Sequence, residues 1–248
     1  MILFFISLVV LGITLAIFYH RRRVNYKMNV VLPVLESMFG DVEYGELNGF
    51  DKHRIYDTKL VNNGNTFRSE DYLKAQYKGV TFESADVEIT NVTSNGKTTT
   101  TTTYFKGQWV IVKPKRKIEG RLYIIDRNFY HSDPKGFWIF KDTSLDKELM
   151  ESVDFNDEFN VYAESGHEAF YVLSPQKLIA LLKIHHENVS FYFNNDELHI
   201  AIYSRKNMFE PTLFGDKSME AQKQRVTDTI LNVLKYLDLF EVEKEGEI

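Results

Sequence analysis

The sequence predicts an α+β fold: one N-terminal transmembrane helix followed by a mainly antiparallel-sheet domain with a few packed helices. Three observations carry that expectation. Residues 2–19 contain no charged side chain, residues 70–203 are dominated by alternation of apolar and polar positions, and helical spacing is confined to a few stretches with no repeating strand-helix unit.

The apolar run ILFFISLVVLGITLAIFY is interrupted only by Ser7, Gly12 and Thr14, which membrane helices tolerate. As a helix it spans about 27 Å, close to the hydrocarbon thickness of about 30 Å. A cleaved signal peptide is the rival. No Lys or Arg precedes the run, and His20 with Arg21, Arg22 and Arg23 stands where a small-residue cleavage site would lie. The positive-inside rule then keeps the arginine side in the cytosol, an N-out and C-in single-pass anchor.

Charge is unevenly spread. The first acidic residue is Glu36, so Arg21, Arg22, Arg23 and Lys27 form a basic neck; setting these four aside leaves 26 basic against 35 acidic residues, a body of formal charge −9. That balance argues against nucleic acid as a partner, which needs a surplus of cations. The absence of cysteine excludes disulfides, thiolate catalysis and cysteine-held metals.

Domain bounds follow from these patterns: a transmembrane helix at 2–19, a basic juxtamembrane helix at 20–40, an α+β domain at 41–240 and an acidic tail at 241–248. In the second, Val24, Met28, Val31, Leu32, Leu35 and Phe39 mark one helical face, Pro33 is expected to kink it or start a second helix, and Gly40 ends it. Residues 41–65 read as loops with one short strand at 54–59. Two hairpins follow, turning at Lys78-Gly79 and at Asn95-Gly96, the latter a type I′ signal, with the threonine run 98–103 as a returning strand. Further strands are expected at 121–126, 136–141, 159–163 and 169–173. Ser174-Pro175 opens a helix that buries Leu178, Ile179, Leu181, Leu182 and His185 and ends near Asn188. A hairpin at 189–203 and a Ser218-capped helix through Met219, Val226, Ile230, Val233, Leu234 and Leu237 complete the chain.

Chemistry-bearing patterns are absent. The seven histidines show no zinc spacing, His185 and His186 read as cations at a helix end, and His131-Ser132-Asp133 reads as a turn because triads are assembled from distant segments. There is no phosphate-binding glycine loop, and Asp154, Asp157 and Glu158 read as a solvated surface. No catalytic, cofactor-binding or metal-binding residue is therefore expected, and no cofactor. The one local surplus of cations is Lys113, Lys115, Arg116, Lys117 and Arg121 around Pro114. With Arg21, Arg22 and Arg23 these are the candidate contacts to anionic lipid headgroups or a membrane protein partner, at about 1 kcal/mol per cation near such a surface. A solvated hairpin loop is the alternative.

The series Phe159, Val161-Tyr162-Ala163, Glu168-Ala169-Phe170-Tyr171-Val172-Leu173-Ser174-Pro175, Ile200-Ala201-Ile202 and Phe209-Glu210-Pro211 resembles a bacterial membrane-anchored family known as domain of unknown function three-one-three-seven. Tyr77-Lys78-Gly79-Val80, Phe82, Phe105 and Gly107 add to the likeness, which runs from the neck helix to about Leu213. The resemblance implies a bacterial origin, one or two membrane segments, and no assigned reaction, cofactor or catalytic residue; with the N-out and C-in anchor, the expected location is the bacterial inner (cytoplasmic) membrane. The expectation is a cytosol-facing binding or scaffold module. An enzyme acting on a membrane-associated substrate is the alternative, and convergent carboxylates or histidines with perturbed pKa would distinguish it.

Overall fold

The structure, a computed structural model, describes residues 2–114, 117–129, 142–185, 188–194, 196–211 and 218–241. Its centre is the pair of long hairpins that period-two alternation predicts. Strands β2 (Thr66–Tyr77), β3 (Val80–Ser94) and β4 (Thr99–Val112) run antiparallel, β2 beside β3 and β3 beside β4. They are flanked by β1 (Glu43–Gly45), β5 (Leu122–Asp126), β6 (Asp146–Glu148), β7 (Phe159–Ala163), β8 (Asn188–Phe193) and β9 (Leu198–Tyr203). Among the described residues these nine form one antiparallel sheet in the order β1-β2-β3-β4-β9-β8-β5-β7-β6. The edge strands β1 and β6 are three residues each, too short to register as alternation in sequence. The strand expected at 136–141 lies outside the described residues.

The turn chemistry is redistributed. Lys78 and Gly79 have φ of 48° and 78°, so the two-residue I′ turn sits there. Asn95-Gly96 instead belongs to a four-residue loop between the paired Ser94 and Thr99, in which Asn95 Oδ1 accepts from the amides of Lys97 and Thr98. The threonines of the run form the returning strand.

Two strand expectations are corrected to helices. Residues 52–56 form α3 (Lys52–Tyr56), because the Asp51 carboxylate accepts the His53 amide and caps a turn. Residues 166–172 form α5 (Gly166–Val172): Ala169 and Val172, three apart, are buried while Phe170 and Tyr171 stand in solvent, a helical rather than alternating pattern. Before it, α4 (Val153–Glu158) is capped by Ser152 Oγ, which accepts the Phe155 amide. After it, α6 (Pro175–Ile184) buries Leu178 and Leu181 and leaves Ile179 exposed. Helix α7 (Met219–Glu241) starts with Ser218 Oγ accepting the Ala221 amide and buries Val226, Ile230, Val233, Leu234, Tyr236 and Leu237.

The N-terminal helix is continuous through α1 (Ile2–Tyr26), a π-helical turn (Lys27–Val31) and α2 (Leu32–Phe39). Its cause is Pro33, which has no amide hydrogen and crowds the preceding turn. The chain widens there, Leu32 donating to the Lys27 carbonyl five residues back. The wide turn also shifts the buried stripe. Tyr26, Lys27, Val30, Val31, Val34 and Leu35 face inward, whereas Met28, expected on the apolar face, is 48% exposed.

Alternation along the strands separates two cores. Val110 and Val112 of β4, Ile200 and Ile202 of β9, and Phe191 and Phe193 of β8 face the helices α2, α6 and α7. Phe105, Trp109 and Ile111 with Tyr123, Tyr192 and Ala201 face the opposite side, covered by Phe50, Ile55 and Leu60. Gly107 marks where β4 parts from β9: a Cβ there would meet the Ile202 carbonyl oxygen and lie 2.8 Å from the Ser204 amide nitrogen. Both obstacles are backbone and yield little. Gly107→Ala is expected to destabilise the fold by about 1–3 kcal/mol, measured as a lower denaturant midpoint, whereas Gly79→Asn, in an open turn, should be nearly neutral.

Candidate functional site

Where the N-terminal helix joins the sheet, a strand irregularity places charge inside the protein. Between Glu70 and Leu73 the β2–β3 register slips, and Asp71 takes φ of 58°, a left-handed conformation that Asp adopts more readily than most residues. The bulge aims its carboxylate at the helix. Lys27, 1% exposed, places Nζ 2.6 Å from both oxygens of Asp71, which is fully buried. The Tyr44 hydroxyl donates to Asp71 Oδ1 at 2.6 Å.

Around this pair the ion network widens. Arg23 Nη2 lies 2.9 Å from Glu70 Oε1, and Arg23 Nε lies 2.7 Å from Glu210 Oε1, which is also 3.7 Å from Lys27 Nζ. Asn207 Nδ2 donates to Glu70 Oε1 and Arg68 pairs with Glu70 Oε2 at 2.9 Å. Glu70 sits directly opposite Asp86 on β3, whose Oδ2 accepts the Met208 amide at 2.6 Å. Like charges opposite one another on a sheet repel. Arg23, Lys27 and Arg68 match Glu70, Asp71 and Glu210 in number, and Asp86 is the carboxylate left over.

The pKa directions follow burial first and the neighbouring charges second. Burial, reinforced by the Asp71 charge, holds the Asp86 carboxyl well above the usual range, so it keeps its proton further up the pH scale. Burial also raises Asp71, partly offset by Lys27 and the Tyr44 hydroxyl. At Glu70 burial opposes ionisation, but the Arg23 guanidinium outweighs it and the pKa falls.

One carboxylate oxygen from each of Glu70, Asp71 and Glu210 falls within 4.8 Å of the others, a spacing that hard cations use. Lys27 and Arg23 already lie against those oxygens, so the cation is supplied by the chain's own side chains. The arrangement is suited to holding a helix and poorly suited to admitting a metal or substrate.

On the other face a second polar group is equally closed. Trp109 Nε1 donates to His199 Nδ1 at 3.1 Å, which leaves His199 Nε2 to donate to Glu197 Oε2 at 3.2 Å. Arg54 bridges Glu197 and Glu83, and Tyr72 donates to Glu83. Burial pushes His199 down, while its bond and the Arg54 charge bring Glu197 to about 2.

The residues singled out in the sequence are scattered. Arg21 is exposed and Arg23 turns into the ion network. Lys113 is exposed beyond the end of β4, Lys117 pairs with Asp196, and Arg121 lies between Glu164 and Asp142 at 2.6 and 3.0 Å. Lys115 and Arg116 lie outside the described residues, as do His131, Ser132, Asp133 and His186. His185 stands at the C-cap of α6, which ends at Ile184 rather than near Asn188, and its Nε2 lies 2.6 Å from the buried Asp126 carboxylate. Sequence reasoning missed Asp71, Asp86 and Glu70 because acids within a strand carry no periodic signal. The one available cue was a Lys in an otherwise apolar helical stripe.

The motif Phe209-Glu210-Pro211 has a role in this join. Phe209 is fully buried and packs edge-on against Tyr44 at 6.0 Å, which brings Glu210 to Arg23. A family model described as "Protein of unknown function (DUF3137)" matches residues 103–241, more than half of the chain. The chain belongs to that family. Within the DUF3137 match lie Gln108, Asn207 and Glu210, while Arg23, Lys27, Glu70, Asp71 and Asp86 precede it. A crystal structure of the mycobacterial trehalose monomycolate transport factor A superposes with a TM-score of 0.41 at 12% identity, over 92% of this chain and 97% of that one. No curated protein matches the chain.

Removing one partner of a buried ion pair strands the other. Lys27→Met is expected to cost about 3–5 kcal/mol, and Asp71→Asn in the same chain to recover much of that loss, measured by denaturant unfolding of the four members of the cycle. Additive losses would show that the pair is not coupled. A depressed carboxylate pKa contributes stability above its ordinary value of 4.5 that is lost as pH falls toward the folded value, here about 2. Glu197→Gln should therefore flatten the pH dependence of stability between about pH 4.5 and 2, followed by thermal unfolding across that range.

Proposed function

We propose that this DUF3137 protein is a single-pass membrane-anchored module that holds a rigid α+β binding or scaffold surface at the cytosolic face of a bacterial inner membrane. Among the described residues one helix is long and apolar enough to cross a membrane, and its side chains between Phe4 and Tyr19 that are described stand exposed, without a protein core around them. The observation that carries the reading is the continuity of that helix with the sheet. Its lower turns bury Tyr26, Val30, Val31, Val34 and Leu35, worth about 1.5–3 kcal/mol each, and its Lys27 and Arg23 are tied to the sheet by ion pairs. A signal segment destined for removal has no reason to supply core residues and buried charges just below its apolar run.

Arg21, Arg22 and Arg23 on the sheet side support an N-out and C-in orientation. Convergent carboxylates with perturbed pKa are present, the feature expected of an enzyme. Lys27 and Arg23 fill the space a reacting group would need, which favours binding over catalysis.

The chain contains no cysteine, so a single Lys113→Cys reports topology cleanly. Intact, unprocessed protein should sediment with membranes, resist carbonate extraction, and react with a membrane-impermeant maleimide only after the cells are lysed. Recovery from the aqueous fraction, or labelling in unbroken cells, would refute the reading. Crosslinking in those membranes followed by mass spectrometry would then identify the partner.

A further inference from the structure

The direction of the N-terminal helix is set by its contacts. Lys27 meets Asp71 near the middle of β2, and twelve residues on, Phe39 packs at 5.5 Å against Phe82, the cross-strand partner of Ala75. Helix α7 runs the same way, Arg225 lying beside Tyr26 and Asp238 bonding to Tyr77 and Lys78. Followed backwards from Lys27, the helix therefore climbs past the start of β2 at Thr66 towards its apolar segment.

In that direction the β3–β4 hairpin outgrows the sheet. Thr66 pairs with Thr90, and beyond it, past the Asn65 side chain that bonds to the Val92 backbone, residues 91–94 pair with 99–102 of β4. Strand β9 pairs with β4 no further up than Gln108. Residues 92–103 are all exposed. From Asp86 to Ser94 is about 27 Å of strand at about 3.4 Å per residue, whereas α1 climbs only about 12 Å from Lys27 to Tyr19. The arm has length to spare for the divergence that sheet twist imposes.

Its chemistry is unlike that of the acidic body. Between Thr90 and Tyr104 the single charged residue is Lys97, among threonines, Ser94, Asn91, Asn95 and Gly96. At its base Glu88 is paired with Lys106, and Arg205 and Lys206 are exposed beside it, the Arg205 amide donating to the Lys106 carbonyl. A strand ribbon so rich in β-formers, with open edges and almost no charge, is a pairing hazard in bulk water. The loop at Lys113 and Lys117 faces the other way: Val112 pairs with Phe82, at the end of the sheet where Phe39 packs.

We propose that the hairpin arm 90–103, with Arg205 and Lys206 at its base, is a contact surface for the headgroups of the bilayer that holds α1. Hydroxyl and amide groups meet phosphate and glycerol oxygens, and the cations meet anionic lipid. The inference rests on the anchoring reading above, and it moves the lipid-facing charge from Lys113 and Lys117 to the opposite end of the sheet.

The test uses full-length protein in vesicles of phosphatidylcholine and phosphatidylglycerol, with an environment-sensitive nitrobenzoxadiazole dye on one introduced cysteine. At Thr100→Cys the dye should be quenched by headgroup-spin-labelled lipid, and at Lys113→Cys it should not. Lys97→Glu in the Thr100→Cys chain should weaken that quenching in anionic vesicles. At Ile13→Cys an acyl-chain spin label should quench, which reports the anchor separately. Failure at Ile13 overturns the anchoring and the arm contact together. Quenching at Ile13 without quenching at Thr100, or equal quenching at Thr100 and Lys113, overturns the arm contact alone. So does a Thr100 dye that is shielded from aqueous iodide yet untouched by the lipid quencher, because a second copy or another protein then covers the arm.

Discussion

The architecture depends on one buried ammonium. Lys27 lies on the inward stripe of the N-terminal helix among Tyr26, Val30 and Val31, and at 1% exposure its charge is compensated, among the described residues, by the carboxylate cluster around Asp71. Such a charge cannot slide: moving the helix by one turn would leave Nζ and Asp71 both unpaired in a low-dielectric interior, the costly outcome for buried ions. The pair therefore determines register where apolar packing alone would tolerate slippage. The bulge at Asp71, the π-helical turn before Pro33 and the burial of Phe209 under Tyr44 all serve to bring the partners together.

This constraint explains a division of labour between the two faces of the sheet. The helix face carries a large apolar core with its charge gathered at one end, near Asp86, Glu70 and Glu210. The other face places its polar groups around Trp109, His199 and Arg54, every one of them committed to a named partner. Both networks read as positioning devices. Lys27 and Asp71 on one face, and Trp109, His199 and Glu197 on the other, are each held by another side chain of the same network.

A helix coupled so firmly to a sheet transmits orientation as well as attachment. A flexible linker would let the body tumble beneath a membrane; the unbroken run from α1 through α2 gives it one end and one facing surface. The long β3–β4 arm and the loop after β4 lie at opposite ends along that axis. Under the anchoring reading, one end meets the bilayer and the other meets the cytosol.

Much of this was legible in the sequence wherever periodicity or composition spoke. The uncharged stretch 2–19, the antiparallel hairpins, the threonine strand and the Ser218-capped helix follow from local side-chain physics, as does the α+β class. Elements of fewer than two full periods were not: β1 and β6 are three residues each, and the five and seven residues of α3 and α5 include β-branched and aromatic residues that suit either state. The cluster at Asp71 was beyond the sequence altogether. Residues 23, 27, 70, 71, 86 and 210 are brought together only when the N-terminal helix and the segment around Glu210 dock on the β2–β3 hairpin, and a charged residue is buried only if its partner arrives. Composition therefore determined that the chain carries a helix fit for lipid and a β-rich body, while the tertiary structure alone decided which charges leave the surface, because burial of an ion is a property of the pair.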